Sequence, residues 1–187
     1  MTISFTVSAF NDFLLNQLQL DSLTTHNLEI RLTSSIGGTV KMYSNVLKFT
    51  GVKPYAIPPK VQPPGTPPQY LNGKLFIVGS ATPGGDAHGW DNPVPVPSQQ
   101  FTRISATLYE ITIALIGGKE YLFLPQNGSW SNKYACNSTS AQSPDGGDFG
   151  YNGSNNNWNA NFPGPAVGGT YKISVDFQRG KYTVTKQ

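Results

Sequence analysis

Residues 170–185 have the sequence Thr170-Tyr-Lys-Ile-Ser-Val-Asp-Phe-Gln-Arg-Gly-Lys-Tyr-Thr-Val-Thr185. In the first half, apolar side chains occupy every second position from Tyr171 to Phe177, and polar side chains occupy the positions between them. This period of two is typical of a strand with one buried face. A Gln-Arg-Gly turn and a second β-branched and aromatic run follow, so the stretch predicts a β-hairpin that contributes to a core.

The rest of residues 73–187 repeats this pattern. Runs at residues 74–79, 108–115 and 120–124 are rich in β-branched and aromatic side chains, and loops rich in Gly, Asn and Pro separate them. The whole chain has 20 Gly and 15 Pro, and only 12% of its residues are charged, a composition typical of short strands joined by turns. We therefore predict an all-β fold, with residues 73–187 forming a β-sandwich.

Residues 1–55 predict one short helix and two strands. Ser8 is placed to cap a helix with an apolar stripe, and the alternation over residues 28–32 followed by Gly37-Gly38 indicates an antiparallel pair. These elements are too few for an independent domain of ordinary size. Residues 1–55 are therefore expected to be part of a domain that begins outside this chain, or a module that packs on the rest.

The segment between these two parts is rich in proline, because seven of the seventeen residues 54–70 are Pro. Proline restricts φ and removes a backbone donor, so such a segment is extended and semi-rigid. We predict a linker at residues 56–72 that buries little surface. A PxxP ligand for another protein is the alternative.

Charge and cysteine content exclude several classes of function. The formal net charge is +3 with no run of basic residues, so neither nucleic acid nor an anionic membrane surface is an expected partner. Cys136 is the single cysteine, which excludes an intrachain disulfide and a zinc site built on paired cysteines. A small packing residue is its expected role, and a reactive thiol is the alternative. Residues 1–5 lack the pattern of a signal peptide, so we expect the chain to start inside a longer protein.

The acidic residues give little indication of catalysis. Hydrolysis of a glycosidic bond ordinarily needs two carboxyl groups that face each other across the bond. Asp145 and Asp148 lie in one Gly-rich stretch, and Asp86 and Asp91 flank His88 in another, which is typical of solvated turns. We predict no enzyme activity, no metal and no cofactor. The alternatives are a hydrolase that uses Asp145 or Asp148, and weak Ca²⁺ binding in the same stretch.

The three tryptophans each lie in a polar, loop-like context. An indole face can stack on the C–H face of a sugar ring while neighbouring amides bond its hydroxyls. Trp130 and Tyr134 are the best candidates for exposed aromatic side chains. Trp90 could belong either to a site or to the core. Trp158 is expected to have a structural role. The predicted glycan-binding residues are Trp90, Trp130, Tyr134, Lys133, Asn132 and Asn127.

Several stretches resemble one family. They are Leu75-Phe-Ile-Val-Gly-Ser-Ala-Thr-Pro-Gly-Gly, Gly89-Trp, Glu120-Tyr-Leu-Phe-Leu-Pro-Gln-Asn-Gly-Ser-Trp-Ser-Asn-Lys-Tyr and the hairpin quoted above. Their order and spacing resemble the C-terminal module of SusE/SusF-type outer-membrane lipoproteins. Upstream, Phe5-Thr-Val-Ser-Ala-Phe-Asn-Asp-Phe-Leu-Leu and Leu28-Glu-Ile-Arg-Leu resemble the latter half of that family's N-terminal immunoglobulin-like domain.

The resemblance implies immunoglobulin-like β-sandwich modules in tandem. Residues 1–55 would be the C-terminal part of the first, and residues 73–187 a carbohydrate-binding module similar to starch-binding domains. Trp90 and Trp130 match positions of the family's aromatic platforms, and Lys133 and Tyr134 lie beside one of them.

The resemblance also implies a non-catalytic accessory of a Bacteroidota polysaccharide-uptake system at the outer-membrane cell surface. The implied partners are a polysaccharide or oligosaccharide, either an α-glucan such as starch or another glycan, and SusC/SusD-type transporter components. Membrane attachment would come from a lipid anchor that this chain lacks. The alternative is a structural spacer or protein-interaction module with the tryptophans in its core, and the exposure of Trp90 and Trp130 distinguishes the two hypotheses.

Overall fold

The computed structural model describes residues 4, 6–22, 24–36, 40–65, 73–153 and 157–187. The chain divides into two compact units, Met1–Ile57 and Pro58–Gln187. Strands dominate and the helices are short, so the prediction of an all-β fold is confirmed. Within the described ranges, no helix is long and apolar enough to cross a membrane.

The N-terminal unit begins with helix α1, Val7–Asp12, which continues as a π-helical turn, Phe13–Gln17. Thr6 is its N-cap, because its Oγ1 accepts a hydrogen bond from the backbone N–H of Ala9 at 3.1 Å. The prediction that Ser8 caps this helix is wrong. Ser8 lies in the first helical turn, where its hydroxyl is hydrogen-bonded to that of Thr6. The helix therefore starts earlier than the sequence predicted.

Two small antiparallel sheets complete the described part of this unit. Strand β1 pairs with β4, and β2 pairs with β3. The predicted turn at Gly37-Gly38 lies outside the described residues, and the assignment of this unit to an immunoglobulin-like domain stays a prediction. The strands are β1 His26–Ile30, β2 Thr33–Ile36, β3 Val40–Tyr43 and β4 Leu47–Val52.

The C-terminal unit is a β-sandwich of two antiparallel sheets. The described strands are β5 Phe76–Val78, β6 Thr102–Arg103, β7 Leu108–Leu115, β8 Glu120–Leu124, β9 Tyr134–Asn137, β10 Gly146–Asp148, β11 Gly150–Tyr151, β12 Trp158–Ala160, β13 Phe162–Pro163, β14 Gly169–Asp176 and β15 Lys181–Lys186; a short helix, α2 Gly85–His88, follows β5. One sheet has the order β10-β15-β14-β7-β6. The other has the order β11-β9-β8-β13, with β5 on β8 and β12 on β9. The predicted hairpin is β14–β15, and β14 alternates buried and half-buried side chains as its sequence predicts.

Aromatic rings fill the space between the two sheets. The ring centroids of Phe123 and Phe162 are 4.4 Å apart, those of Phe162 and Tyr182 are 4.6 Å apart, and those of Tyr134 and Phe177 are 4.9 Å apart. Edge-to-face and offset contacts of this kind add to the stabilisation from burial. The core of the unit is therefore built from rings that the two sheets contribute together.

Strand β8 is buried on both faces. Tyr121 and Phe123 point into the space between the sheets, whereas Leu122 and Leu124 belong to a second apolar cluster that also contains Val94 and Trp90. Because successive side chains of a strand point to opposite faces, this second cluster lies on the outer face of the sheet. The loop of residues 79–101 covers it, so this side of the sandwich has a third layer.

Residues 58–65 belong to the C-terminal unit. Val61 is only 7% exposed, and the backbone N–H groups of Lys60 and Val61 donate to the carbonyls of Gln178 and Phe177 at 3.2 Å and 3.1 Å. The prediction of a linker at residues 56–72 that buries little is therefore wrong for this part. Lys60 and Val61 supply backbone donors, and Val61 supplies an apolar side chain. Residues 66–72 lie outside the described part of the chain.

Substitution of Val61 tests this packing. Val61→Ser is expected to lower the free energy of unfolding by about 1.5 to 3 kcal/mol, the usual cost of losing a buried valine side chain. Val167→Ser is the matched control, because Val167 is 64% exposed in the same unit. Urea denaturation of both variants measures the effect, and equal midpoints would contradict the assignment of residues 58–65 to this core.

Candidate functional site

Trp90 and Trp130 lie side by side at the surface of the C-terminal unit. Their ring centroids are 6.5 Å apart and their planes are inclined by 40°. Trp130 is 47% exposed, whereas Trp90 is half-buried and packs against the apolar cluster on the outer face of the sheet. We call these two rings the tryptophan surface. The structure thus brings together two of the residues that the sequence predicted for a site.

Two glycines, Gly79 and Gly89, position the loop that carries Trp90. The backbone N–H of Gly79 donates to the carbonyl of Gly89 at 2.7 Å. A Cβ atom on Gly89 would lie 2.3 Å from the Gly79 carbonyl oxygen, so no larger residue fits there without movement. This close approach of two backbone segments places the next residue, Trp90, over the sheet.

Two asparagines join the loops of the tryptophan surface. Oδ1 of Asn127 accepts from the Val94 N–H at 2.7 Å, and its Nδ2 donates to the Val94 carbonyl at 3.1 Å. Oδ1 of Asn92 accepts from the N–H of Gly128 at 2.6 Å, while its Nδ2 is buried without a partner among the described residues. Asn127 was predicted as a sugar contact, but both polar atoms of its side chain hold the Val94 backbone. We therefore reassign it to positioning the loops.

Asn92 performs the same role and was not predicted. Its bond reaches 36 positions along the chain. No local pattern in the sequence indicates a contact between a side chain and a backbone group at that separation. The only sequence signal was its position two residues after Trp90.

Tyr134 is a core residue, so its prediction as an exposed sugar contact is wrong. Its side chain is 1% exposed, its hydroxyl donates to the carbonyl of Gln62 at 2.9 Å, and its ring meets Phe177 edge-on. The polar residues 131–133 before it suggested a surface segment. Strand β9 begins at Tyr134, and its alternation turns this first side chain inward.

Asn132 and Lys133 follow Trp130 directly in the chain. Asn132 is exposed and Lys133 is half-buried. The backbone N–H of Lys133 donates to Oδ1 of Asn152 at 2.7 Å, and its carbonyl accepts from the Asn152 N–H at 3.1 Å. These bonds fix the backbone at the edge of the tryptophan surface. A sugar contact by either side chain stays a prediction.

Several acidic residues form ion pairs with lysine, arginine or histidine side chains. Asp148 binds Lys181 at 2.9 Å and Lys60 at 3.4 Å, and the hydrogen bond from Lys181 is the main reason that the pKa of Asp148 lies below its usual range. A general acid in glycoside hydrolysis needs the opposite shift. Among the described residues, no group of three or more His, Cys, Asp or Glu side chains could hold a metal ion.

Trp158 packs against the sheet, and the structural role predicted for it stays a prediction. It is half-buried, and a Cβ atom on Gly150 would lie 2.2 Å from the indole, so the ring lies directly against the Gly150 backbone. Only glycine fits beneath the ring at this distance. Because Gly150 has no side chain, the ring of Trp158 can pack directly on the sheet.

Comparison with known proteins gives one structural likeness. No family model and no curated protein sequence matches this chain. Its structure is similar to the crystal structure of SusF from Bacteroides thetaiotaomicron, with a TM-score of 0.39 and 17% sequence identity. The likeness covers 96% of this chain and 37% of that chain. This protein therefore spans less than half the length of SusF.

Proposed function

We propose that the C-terminal unit binds a polysaccharide or oligosaccharide through the tryptophan surface, without catalysis. The observation that carries the proposal is the pairing of Trp90 with the exposed ring of Trp130. Sugar rings have apolar C–H faces that stack on indoles.

Pre-organisation supports the proposal. The bonds of Asn127 and Asn92 hold both loops in place before a ligand arrives, so binding orders few groups. Planes inclined by 40° cannot both stack on coplanar sugar faces. A curved or twisted chain, such as an α-glucan, fits this surface better than a flat one.

The wider function is proposed from the sequence motifs. A cell-surface accessory of a Sus-type uptake system would use weak, repeated contacts to hold a polymer near SusC/SusD-type transporter components. The exposed Asn132 and the neighbouring Lys133 are the proposed hydrogen-bonding partners of the sugar hydroxyls. The competing function is a structural spacer, which the half-burial of Trp90 favours.

Removal of one ring tests the proposal. Trp130→Ala is expected to weaken glycan binding about 2- to 13-fold, because one stacking contact contributes about 0.5 to 1.5 kcal/mol. The melting temperature should fall less than for loss of a fully buried tryptophan, since 47% of the Trp130 surface is exposed to solvent. Affinity electrophoresis through gels that contain starch, other glucans, mannan or xylan measures retention on each polymer.

Ile104→Ala is the control, because Ile104 is 54% exposed in the same unit and should leave retention unchanged. Equal mobility of the wild-type protein in every polymer and in the blank gel would favour the spacer. Unfolding of Trp130→Ala would show that the ring supports the fold.

A further inference from the structure

A cavity of about 360 Å³ opens at the side of the sandwich, between β10 and β12. Neither Trp90 nor Trp130 lines it. Its volume lies within the range of about 300 to 1,000 Å³ that is usual for small-molecule sites. Its walls include the side chains of Trp158, Asn137, Ser140, Gln142, Lys60 and Asp148.

Two glycines of β10 also line this cavity, and only one of them is required by the backbone. Gly146 has φ +137°, and a Cβ atom there would lie 2.3 Å from the Tyr182 carbonyl oxygen. A Cβ atom on Gly147 would instead lie 3.8 Å from the Tyr182 ring, an ordinary van der Waals distance. Glycine weakens a strand relative to a β-branched residue. Stability would therefore favour a larger residue at position 147, and glycine there leaves the space open.

Two amide side chains have fixed positions and unused hydrogen-bonding atoms in this wall. Oδ1 of Asn137 accepts from the N–H and the hydroxyl of Thr139, at 2.9 Å and 2.7 Å. Nε2 of Gln142 donates to the carbonyls of Asn137 and Ser140. Within the described part of the chain, Nδ2 of Asn137 and Oε1 of Gln142 have no partner. The wall thus offers one amide donor, Nδ2 of Asn137, and one amide acceptor, Oε1 of Gln142. The other polar atom of each amide group makes the hydrogen bonds that hold the side chain in place.

The charged groups at the cavity are paired with one another. Lys60 and Lys181 both bind the carboxylate of Asp148, so each of these charges has a partner of opposite sign, although the three groups together carry a net positive charge. What remains is the indole of Trp158, whose position Gly150 fixes, together with neutral donors and acceptors. An aromatic face beside amide and hydroxyl groups is the chemistry that recognises a polyhydroxylated ring.

We infer that this cavity is a second saccharide site, which accepts a neutral mono- or disaccharide unit such as a chain end or a branch. A partly enclosed cavity admits a terminal ring, whereas the tryptophan surface is open along a chain. The inference does not rest on the function proposed for the tryptophan surface, because the two sites share no residue.

The chain has three tryptophans, which makes a selective fluorescence test possible. The double variant Trp90→Phe/Trp130→Phe retains Trp158 as its single indole. It is titrated with glucose, galactose, mannose, xylose, maltose and cellobiose, and the indole N–H resonance of Trp158 is followed in parallel by ¹H–¹⁵N NMR. We expect a saturable change in both signals for at least one sugar, with a Kd in about the millimolar range.

Filling the cavity is the decisive control. Gly147→Val in the same background should raise the Kd at least about tenfold, because its side chain occupies the space of the sugar, and Gly147→Ala should have a smaller effect. The melting temperature should stay the same or rise. The inference is overturned if no sugar changes either signal, or if a saturable response persists unchanged in Gly147→Val. Polysaccharide retention by the double variant reports separately on the tryptophan surface.

Discussion

Tyr134→Ala is expected to lower the free energy of unfolding of the C-terminal unit by about 3 to 5 kcal/mol, the range measured for removal of a large buried aromatic ring. The ring packs edge-on against Phe149 and Phe177, and the cavity left behind would be lined by rings that cannot all move inward. Guanidinium denaturation, followed by tryptophan fluorescence, measures the loss.

A matched pair of variants separates the ring from its hydroxyl. Tyr134→Phe keeps the packing and removes only the hydrogen bond to the Gln62 carbonyl, so its expected cost is about 0.5 to 1.5 kcal/mol. Trp130→Ala, at an exposed position four residues earlier, should cost less than either. If Tyr134→Ala unfolds at the same denaturant concentration as the wild type, the ring is not part of this core.

Alkaline pH is expected to destabilise the C-terminal unit, beginning near pH 9. Burial raises the pKa of the Cys136 thiol from 9.0 to about 11, against a smaller lowering by its contact with the Tyr182 hydroxyl. Burial also raises the pKa of Tyr121 and of Tyr182. All three groups are therefore favoured in their neutral forms when the protein is folded.

The sign follows from linkage. The folded pKa of Cys136 lies above the unfolded one, so its contribution is complete below about pH 9 and is lost as the pH rises towards 11. The loss from this thiol alone is on the order of 2 to 3 kcal/mol. Denaturation at intervals from pH 8 to 11 measures the slope. Cys136→Ala should flatten the slope most near pH 9, one unit below the ordinary tyrosine pKa of 10.0, where the thiol titrates in the unfolded chain and few tyrosines do; identical slopes for both proteins would contradict the prediction.

Sequence reasoning succeeded where burial follows a local period. The alternation in residues 170–177 predicts β14 and its inward face, because that face is decided by neighbouring residues alone. The uninterrupted apolar run in residues 121–124 predicts β8 equally well, since both of its faces are covered.

Apart from the helix cap, which lies two residues before the predicted one, the errors concern contacts between residues that are distant in the sequence. Tyr134 looked exposed because its neighbours are polar, yet its hydroxyl partner, Gln62, lies 72 positions away. The proline-rich segment looked like a free linker because its composition does not show that Val61, Pro63 and Pro64 are buried. Asn127 was predicted as a sugar contact because it is an amide side chain close to Trp130 in the sequence. Only the folded chain places the Val94 backbone against it.

The third layer on the outer face of β8 has a consequence for how this protein could change its specificity. The loop of residues 79–101 covers the sheet and carries Trp90. Most substitutions at Trp90 are therefore expected to lower the stability of the fold as well as to alter the proposed glycan binding. Trp130 contributes less to the stability of the fold, because 47% of its surface is exposed to solvent. For the proposed glycan site, substitutions that alter ligand preference without loss of stability are therefore expected in the loop around Trp130, whereas Trp90 is expected to stay unchanged.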